Sequence, residues 1–175
     1  AWRRRKAPRE SDLVVSRWGA RFMGRHIPCA IGRNGIASDK REGDLGTPVG
    51  RFRLCNVFWR PDRMSAPVTI LPARVLDHRQ GWSEAPADPA YNRPIRHPHP
   101  FPADRMRRGD SLYDLCVVTD QNTDPVVPGA GSAIFLHLWR KPRHPTAGCV
   151  AFRRRDLVWI LRHWTPASRL IIRAP

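Results

Sequence analysis

The apolar positions of this chain form many short runs, and proline, glycine or polar residues separate these runs. Short apolar or alternating runs with such boundaries are typical of strands. The runs that predict strands or hairpins are 13–15, 21–31, 51–59, 68–71, 74–76, 112–119, 132–139, 150–152 and 168–173. Gly24 marks a turn inside the second run, and Asn34-Gly35 predicts a tight turn shortly after it.

Helical spacing is found only near the end of the chain. The apolar stripe that predicts a helix consists of Leu157, Ile160, Leu161 and Trp164. Asp156 precedes the stripe as the predicted N-cap, and Pro166 follows its end. One helix beside a set of short strands predicts a mainly β fold, a β-sandwich or open barrel with this helix in the C-terminal half.

Length and composition indicate one folded domain. The chain has 175 residues and 41% hydrophobic content, which is enough for a core of its own. We expect a basic, polar arm over residues 1–12 and a single domain over 13–175, acting as a monomer. No apolar run is long enough for a transmembrane helix, and the basic start contains no apolar signal-peptide segment.

The formal net charge of +16 indicates attraction to a polyanion, such as nucleic acid, an anionic membrane or an anionic cell-wall polymer. A simpler interpretation is that an arginine-rich surface keeps the protein soluble. The basic clusters at 3–6, 105–108 and 153–155 are separated in sequence, and no aromatic-interleaved motif or zinc finger accompanies them. Nucleic-acid binding is therefore not expected as the main role.

Cysteine and histidine patterns argue against a metal site. The four cysteines include no Cys-x-x-Cys pair, and Cys29, Cys55 and Cys116 lie in apolar runs as expected for small buried side chains. A disulfide among these three stays open, because no spacing selects a pair. His97-Pro98-His99 lacks a carboxylate or cysteine partner, so solvated loop histidines are expected. We expect neither a metal nor a cofactor.

The most informative stretch joins a histidine to a cysteine. An apolar run delivers His137, a loop rich in proline and basic residues follows, and Thr146-Ala147-Gly148-Cys149 opens the next apolar run. If the two side chains meet, the imidazole takes the thiol proton and the thiolate attacks a carbonyl. Backbone N–H groups at Gly148 and Cys149 would then stabilise the oxyanion. Gly148 has no Cβ, so substrate can approach the backbone closely there.

These residues resemble the catalytic signature of the L,D-transpeptidase (YkuD-type) family. The resemblance extends over residues 28–173. It also includes Gly32-Arg33-Asn34-Gly35, Lys40-Arg41-Glu42-Gly43-Asp44, Thr47-Pro48-Val49-Gly50-Arg51-Phe52, Tyr113-Asp114-Leu115 and Pro128-Gly129-Ala130-Gly131-Ser132. It implies a β-sandwich catalytic domain with Cys149, His137, Gly148 and Thr146 at its active site.

The resemblance also implies a substrate, the peptidoglycan stem tetrapeptide, and a place of action, the bacterial periplasm or cell envelope. An amine that resolves the acyl-enzyme gives a 3→3 cross-link, D-amino-acid exchange or protein attachment. Resolution by water gives an L,D-carboxypeptidase, and a secreted antibacterial effector with the same chemistry is a further alternative. A third class is a non-catalytic basic module that binds polyanions.

Two departures from the family signature concern substrate binding. Thr146 replaces the usual serine and keeps a hydroxyl, whereas Ala151 stands where an arginine is common. The candidates that replace this arginine in binding a substrate carboxylate are Arg33, Arg107 and Arg140. Trp82 and Tyr91, in the proline-rich region that resembles the wall of the family's cleft, either contact substrate or pack beneath the loop.

The surroundings of the pair complete the prediction. We expect Arg140, Lys141 and Arg143, in the loop between the two residues, to favour the Cys149 thiolate. No acidic residue lies in this stretch, so we expect a backbone carbonyl to bind the second ring nitrogen of His137. His144 lies among prolines and is the weaker candidate for the base.

Overall fold

The computed structural model describes residues 7–175 of the chain. Strands account for 33% of the residues and one helix for 6%, so the prediction of a mainly β fold with one helix is confirmed. Most strands are short, as the short apolar runs predict. Residues 7–175 form no closed barrel.

The strands belong to four sheets. In chain order they are β1 Leu13–Ser16, β2 Gly19–Phe22, β3 Arg25–Ile27, β4 Cys29–Ala30, β5 Ile36–Ala37, β6 Thr47–Pro48, β7 Gly50–Phe52, β8 Leu54–Trp59, β9 Ala73–Val75, β10 Gln80–Ser83, β11 Pro94–Arg96, β12 Ala103–Arg105, β13 Leu115–Thr119, β14 Phe135–Leu138, β15 Val150–Phe152 and β16 Leu170–Ile172. The helix α1 is Arg154–His163.

A five-stranded sheet has the order β3-β2-β1-β16-β7, and a six-stranded sheet has the order β4-β15-β14-β13-β8-β9. The order β11-β10-β12 forms a third sheet, and β5 pairs with β6 in the fourth. The neighbours β14 and β15 run parallel, which is achieved by the loop between them. This pairing places His137 beside Ala151, two residues after Cys149.

The central strands of the six-stranded sheet are buried on both faces, because every residue of β13, β14 and β15 is buried. One face packs with α1 and the five-stranded sheet around a core that includes Leu136, Val150 and Leu157. The opposite face packs into a second cluster with Trp82 and Met106, which come from the third sheet and its flank. Alternating residues of the same strands therefore serve two different cores.

The helix begins earlier than the sequence pattern predicts. Its N-cap is Arg153, which makes no side-chain capping bond, and Asp156 lies within the first turn instead of capping it. A carboxylate there still interacts favourably with the positive end of the helix dipole. The buried helical residues are Leu157, Ile160 and Leu161, as the stripe predicts.

Two strand predictions need correction. Residues 68–71 form no strand, and Val68 and Ile70 are exposed, because Pro67 and Pro72 flank the segment and the Thr69 hydroxyl accepts the N–H of Leu71 in a local turn. The predicted strand 51–59 is divided between β7 and β8, which pair in different sheets. The hairpin of β2 and β3 confirms the turn at Gly24.

The predicted arm falls partly outside the described residues, which begin at residue 7. Within the arm, Asp12 is buried and accepts hydrogen bonds from the N–H groups of Arg9 and Arg169. No helix in the described part of the chain is long and apolar enough to span a membrane.

Candidate active site

Neighbouring parallel strands bring His137 and Cys149 to the same region. In the pairing of β14 with β15, Leu136 faces Val150 and His137 faces Ala151. Cys149 directly precedes β15, and its Sγ accepts the N–H of Phe135 at 3.3 Å. Cys149 belongs to the second cluster with Tyr113, whose ring lies edge-on to His137 at 5.4 Å between centroids. The two candidates therefore adjoin one aromatic side chain.

The turn before Cys149 depends on a threonine hydroxyl and a glycine. Thr146 Oγ1 donates to the Cys149 carbonyl at 2.7 Å and accepts the N–H of Gly148 at 3.1 Å. Gly148 has a φ of 141°, and a Cβ on it would lie 2.9 Å from the carbonyl oxygen of Gly46. A side chain is therefore excluded. Because the Gly148 N–H already has a partner, the Cys149 N–H is the better candidate for an oxyanion donor.

A second threonine connects this turn to the upstream motifs. Thr47 is fully buried; its Oγ1 accepts the N–H of Gly32 at 2.8 Å and donates to the carbonyl of Gly148 at 2.9 Å. The backbone of Thr146 also bonds Ile31 and Arg33, at 3.0 and 2.9 Å. The Gly32-Arg33-Asn34-Gly35 and Thr47-Pro48 motifs thus hold the cysteine turn. The sequence prediction missed the hydroxyl of Thr47.

His137 is buried and neutral at neutral pH. Its Nδ1 donates to the carbonyl of Leu138 at 2.8 Å, which confirms the expected carbonyl partner. Since a carbonyl only accepts, the proton is on Nδ1 and the lone pair is on Nε2. Burial lowers the pKa of His137 to about 4, partly opposed by the bond to Leu138. The imidazole is therefore a free base at Nε2.

The thiol of Cys149 is also neutral. It donates to the carbonyl of Ala133 at 3.1 Å, and among residues 7–175 it forms no hydrogen bond with His137. Burial raises the pKa of Cys149 to about 12. Ala133 has a positive φ of 53°, which is uncommon for alanine. Before its proton can pass to His137, the thiol has to break its hydrogen bond to the Ala133 carbonyl. Catalytic hydrogen bonds often form or tighten only when substrate is bound.

The chain matches a known family. The family model described as the L,D-transpeptidase catalytic domain (YkuD) matches residues 13–172. The chain belongs to the L,D-transpeptidase family. This membership confirms the resemblance, supports L,D-transpeptidase activity related to peptidoglycan at the level of the family, and agrees with action at the cell envelope. No curated protein and no solved structure was found to match the chain.

In this transpeptidase-family domain, the positive charge that acts on Cys149 includes a residue outside the loop between His137 and Cys149. The nearby carboxyl groups of Asp104 and Glu84 raise the pKa of Cys149, and Lys40 lowers it. Arg140 is 55% exposed and lies 3.6 Å from a carboxylate oxygen of Asp110. Lys141 and Arg143 are exposed as well. The role of the intervening basic loop stays a prediction, and the cation that acts on the pKa of Cys149 lies in the loop between β5 and β6.

Trp82 and Tyr91 are both buried in the domain. Trp82 packs edge-on against Phe135 at 5.0 Å between centroids, and its Nε1 donates to Asn92 at 3.0 Å. The Tyr91 hydroxyl donates to Glu42 at 2.5 Å and accepts the N–H of Gly131 at 3.1 Å. These contacts favour the packing alternative. Contact of either residue with substrate stays a prediction.

The three arginine candidates for carboxylate binding are scattered. Arg33 is exposed, and its backbone N–H bonds the cysteine turn. Arg107 donates to the carbonyl of Leu76 at 3.2 Å and lies 3.6 Å from a carboxylate oxygen of Asp62. Ala151 is fully buried in β15. The guanidinium groups of Arg107 and Arg140 already interact with carboxylates, and their substrate role stays a prediction.

The remaining histidines and cysteines differ in their burial and in their partners. His99 Nε2 lies 2.5 Å from Asp88 Oδ2 and is largely buried, so it is not a solvated loop histidine. Within the residues that the structure describes, no group of three or more histidine, cysteine or acidic side chains could hold a metal ion. All four cysteines are free. Cys29 and Cys116 are buried as predicted, whereas Cys55 is exposed, because it lies on the outward side of β8.

A separate groove lies over the five-stranded sheet. Its volume is about 690 Å³, and basic residues including Arg9, Arg21, Arg143 and Arg173 contribute to its lining. Neither Cys149 nor His137 lines it. We therefore assign the candidate chemistry to the buried His137–Cys149 region, because the reactive groups and the family motifs meet there.

Proposed function

We propose that the protein is a cysteine-dependent L,D-transpeptidase that acts on the stem tetrapeptides of peptidoglycan in the bacterial cell envelope. The observation that supports this best is the neutral His137, whose Nε2 lone pair is available on the strand next to the Cys149 turn. Cys149 is the nucleophile and His137 the base. Thr146 and Gly148 shape the turn between them.

In the first half-reaction His137 Nε2 takes the thiol proton, and the thiolate attacks the carbonyl of the third stem residue. The Cys149 N–H stabilises the oxyanion. The tetrahedral intermediate collapses, so a C–S bond has formed and the C–N bond to the terminal D-amino acid breaks. The leaving amine receives the proton from His137. The products are a thioester on Cys149 and a free D-amino acid.

In the second half-reaction an amine of another stem attacks the thioester. A C–N bond forms, the C–S bond breaks, and the proton returns through His137 to the thiolate. This gives a 3→3 cross-link, or D-amino-acid exchange or protein attachment with other amines. The carboxylates of Asp104 and Glu84 act on Cys149. The attacking amine must be neutral, and an ionised carboxylate at either position can take the proton from an incoming ammonium group, which favours an amine acceptor over water.

Product analysis tests the acceptor. The protein and a Cys149→Ala variant are incubated with disaccharide-tetrapeptide, and the products are separated by mass spectrometry. A cross-linked dimer that depends on Cys149 supports transpeptidation. A tripeptide without dimer identifies the alternative, an L,D-carboxypeptidase or a wall-degrading effector. No Cys149-dependent product from an intact substrate contradicts the proposed function.

A non-catalytic basic module is the second candidate, favoured by the net charge of +16 and by the four arginines in the lining of the groove, which outnumber its two acidic residues, Glu10 and Asp12. Its proposed partner is an anionic cell-wall or membrane surface. This role requires binding to a polyanion that weakens steeply with added salt while Cys149 stays inert to substrate. Titration of teichoic-acid-like polyphosphate at two salt concentrations, beside the product assay, separates it from catalysis.

A further inference from the structure

Lys40 places a buried ammonium group beside the cysteine turn. Its side chain is only 9% exposed. A Cβ on Gly131 would lie 2.9 Å from Lys40 Cγ and 3.0 Å from Cε, so the aliphatic part of Lys40 fills the space that this glycine leaves. A Cβ on Gly148 would lie 3.6 Å from Lys40 Nζ. The ammonium therefore lies against the residue that precedes Cys149.

The ammonium is held in place by its own loop. It forms a salt bridge with Asp44 Oδ1 and donates to the carbonyl of Arg41 at 3.0 Å. Asp44 is in turn fixed by the N–H groups of Arg41 and Gly46, each at 2.8 Å. A lysine has three N–H donors, so a third donor is left over beyond these two partners. The Asp44 carboxylate thus accepts hydrogen bonds from three donors, of which Lys40 Nζ is one.

The charges that face Cys149 make this cation important. Asp104 and Glu84, from the third sheet and its flank, oppose ionisation of the thiol. Tyr113 and Cys116, from the strand side, are buried and neutral because their pKa values are raised well above the usual range. His137 from β14 is a neutral base at rest. A thiolate formed here meets an apolar core and the carboxyl groups of Asp104 and Glu84, and Lys40 supplies the opposing positive charge.

We propose that Lys40 is a positioning residue that stabilises the Cys149 thiolate. The role rests on the proposed function only in taking Cys149 as the nucleophile. The cation is in place before the reaction, so the thiolate needs little reorganisation of its surroundings when it forms. The basic residues of the loop between His137 and Cys149 are then not needed for this purpose.

The expected size of the effect follows from two opposing trends. An opposite charge within about 4–6 Å lowers a pKa by about 1–3 units, and the lower end of this range, about one unit, is assigned to Lys40, so its removal cuts the thiolate fraction about tenfold. The remaining thiolate is more basic and therefore more nucleophilic, with a Brønsted slope of about 0.4–0.5. The net loss of alkylation rate is then at least about threefold.

The test is the alkylation rate of Cys149 by iodoacetamide as a function of pH. A Cys55→Ser background removes the exposed thiol, and peptide mass spectrometry follows Cys149 alone. Lys40→Met should react at least about threefold more slowly at each pH, as a parallel displacement of the profile. Lys40→Arg, which keeps the charge, should react nearly as fast as the parent. Lys141→Met, which removes an exposed charge of the neighbouring loop, is the matched control and should not change the rate.

Equal rates for Lys40→Met and the parent would overturn the proposal, and so would equal losses in Lys40→Met and Lys40→Arg, because shape and not charge would then matter. Circular dichroism checks the fold, and Lys40→Gln replaces Lys40→Met if the latter unfolds. Alkylation needs no peptidoglycan. A displaced profile without any stem-peptide product would therefore reject the proposed function and leave the role of Lys40 standing.

Discussion

Replacing Thr47 by valine tests how the cysteine turn is held. Valine keeps the shape of threonine and removes the hydroxyl, which bridges the Gly32 N–H and the Gly148 carbonyl at 2.8 and 2.9 Å. Both partners lose their bond in a fully buried environment, and an unsatisfied buried group costs about 1–3 kcal/mol. Partial relaxation of the two loops brings the expected loss to about 2–4 kcal/mol. That is a large part of the roughly 5–15 kcal/mol that usually stabilises a domain.

Urea unfolding followed by circular dichroism measures this loss, which corresponds to a decrease in Tm of roughly 5–15 °C for a domain of this size. Thr123→Val is the matched control, since its hydroxyl bonds only the nearby carbonyl of Asp120. We expect the control to lose less than about 1 kcal/mol. Equal losses in the two variants would refute the view that Thr47 joins the upstream motif to the turn.

Three further predictions concern charge and pH. Burial lowers the pKa of His137 to about 4. The folded protein should therefore lose up to about 3 kcal/mol of stability as the pH falls from 6.5 to 4. His137→Gln should lack most of this loss when unfolding by urea is measured across the same pH range. Asp114 is buried and bonds two arginines, at 2.9 Å each, so Asp114→Asn should lower the free energy of unfolding by at least about 2 kcal/mol, whereas the exposed Asp39→Asn should not. Glu84 is exposed as a residue, yet desolvation of its carboxyl group and the nearby carboxyl groups of Asp104 and Glu42 raise its pKa to about 7. Ionised Glu84 is therefore unfavourable, and Glu84→Gln should raise the Tm at pH 8 but not at pH 4, as thermal unfolding can show.

Much of the fold could be predicted from the sequence because its local signals agree with one another. Short apolar runs between proline and glycine predicted the strands, and one apolar stripe predicted α1. The strand at 68–71 failed because alternation alone does not reveal which elements surround a segment. Flanking prolines and the hydroxyl of Thr69 favoured a turn there.

The candidate site could be predicted only in part. Local motifs identified His137, Cys149 and the glycine turn, and the absence of nearby acids led to the carbonyl partner of His137. The contribution of Thr47 escaped prediction, since its hydroxyl meets a carbonyl 101 residues away in sequence. The position of Lys40 beside the cysteine turn also escaped prediction, because Gly148, which it approaches, is distant in sequence. Burial of the thiol, and with it the raised pKa of Cys149, depends on packing that no local pattern reveals.

The most direct test of the central claim is the mass of the protein after brief exposure to a disaccharide-tetrapeptide without added amine, followed by acid quenching. We expect a thioester adduct on the Cys149 peptide that carries the substrate minus its terminal D-amino acid, and no adduct on Cys149→Ala. Release of the D-amino acid by Cys149→Ala at the parent rate would contradict it, as would an adduct on another residue.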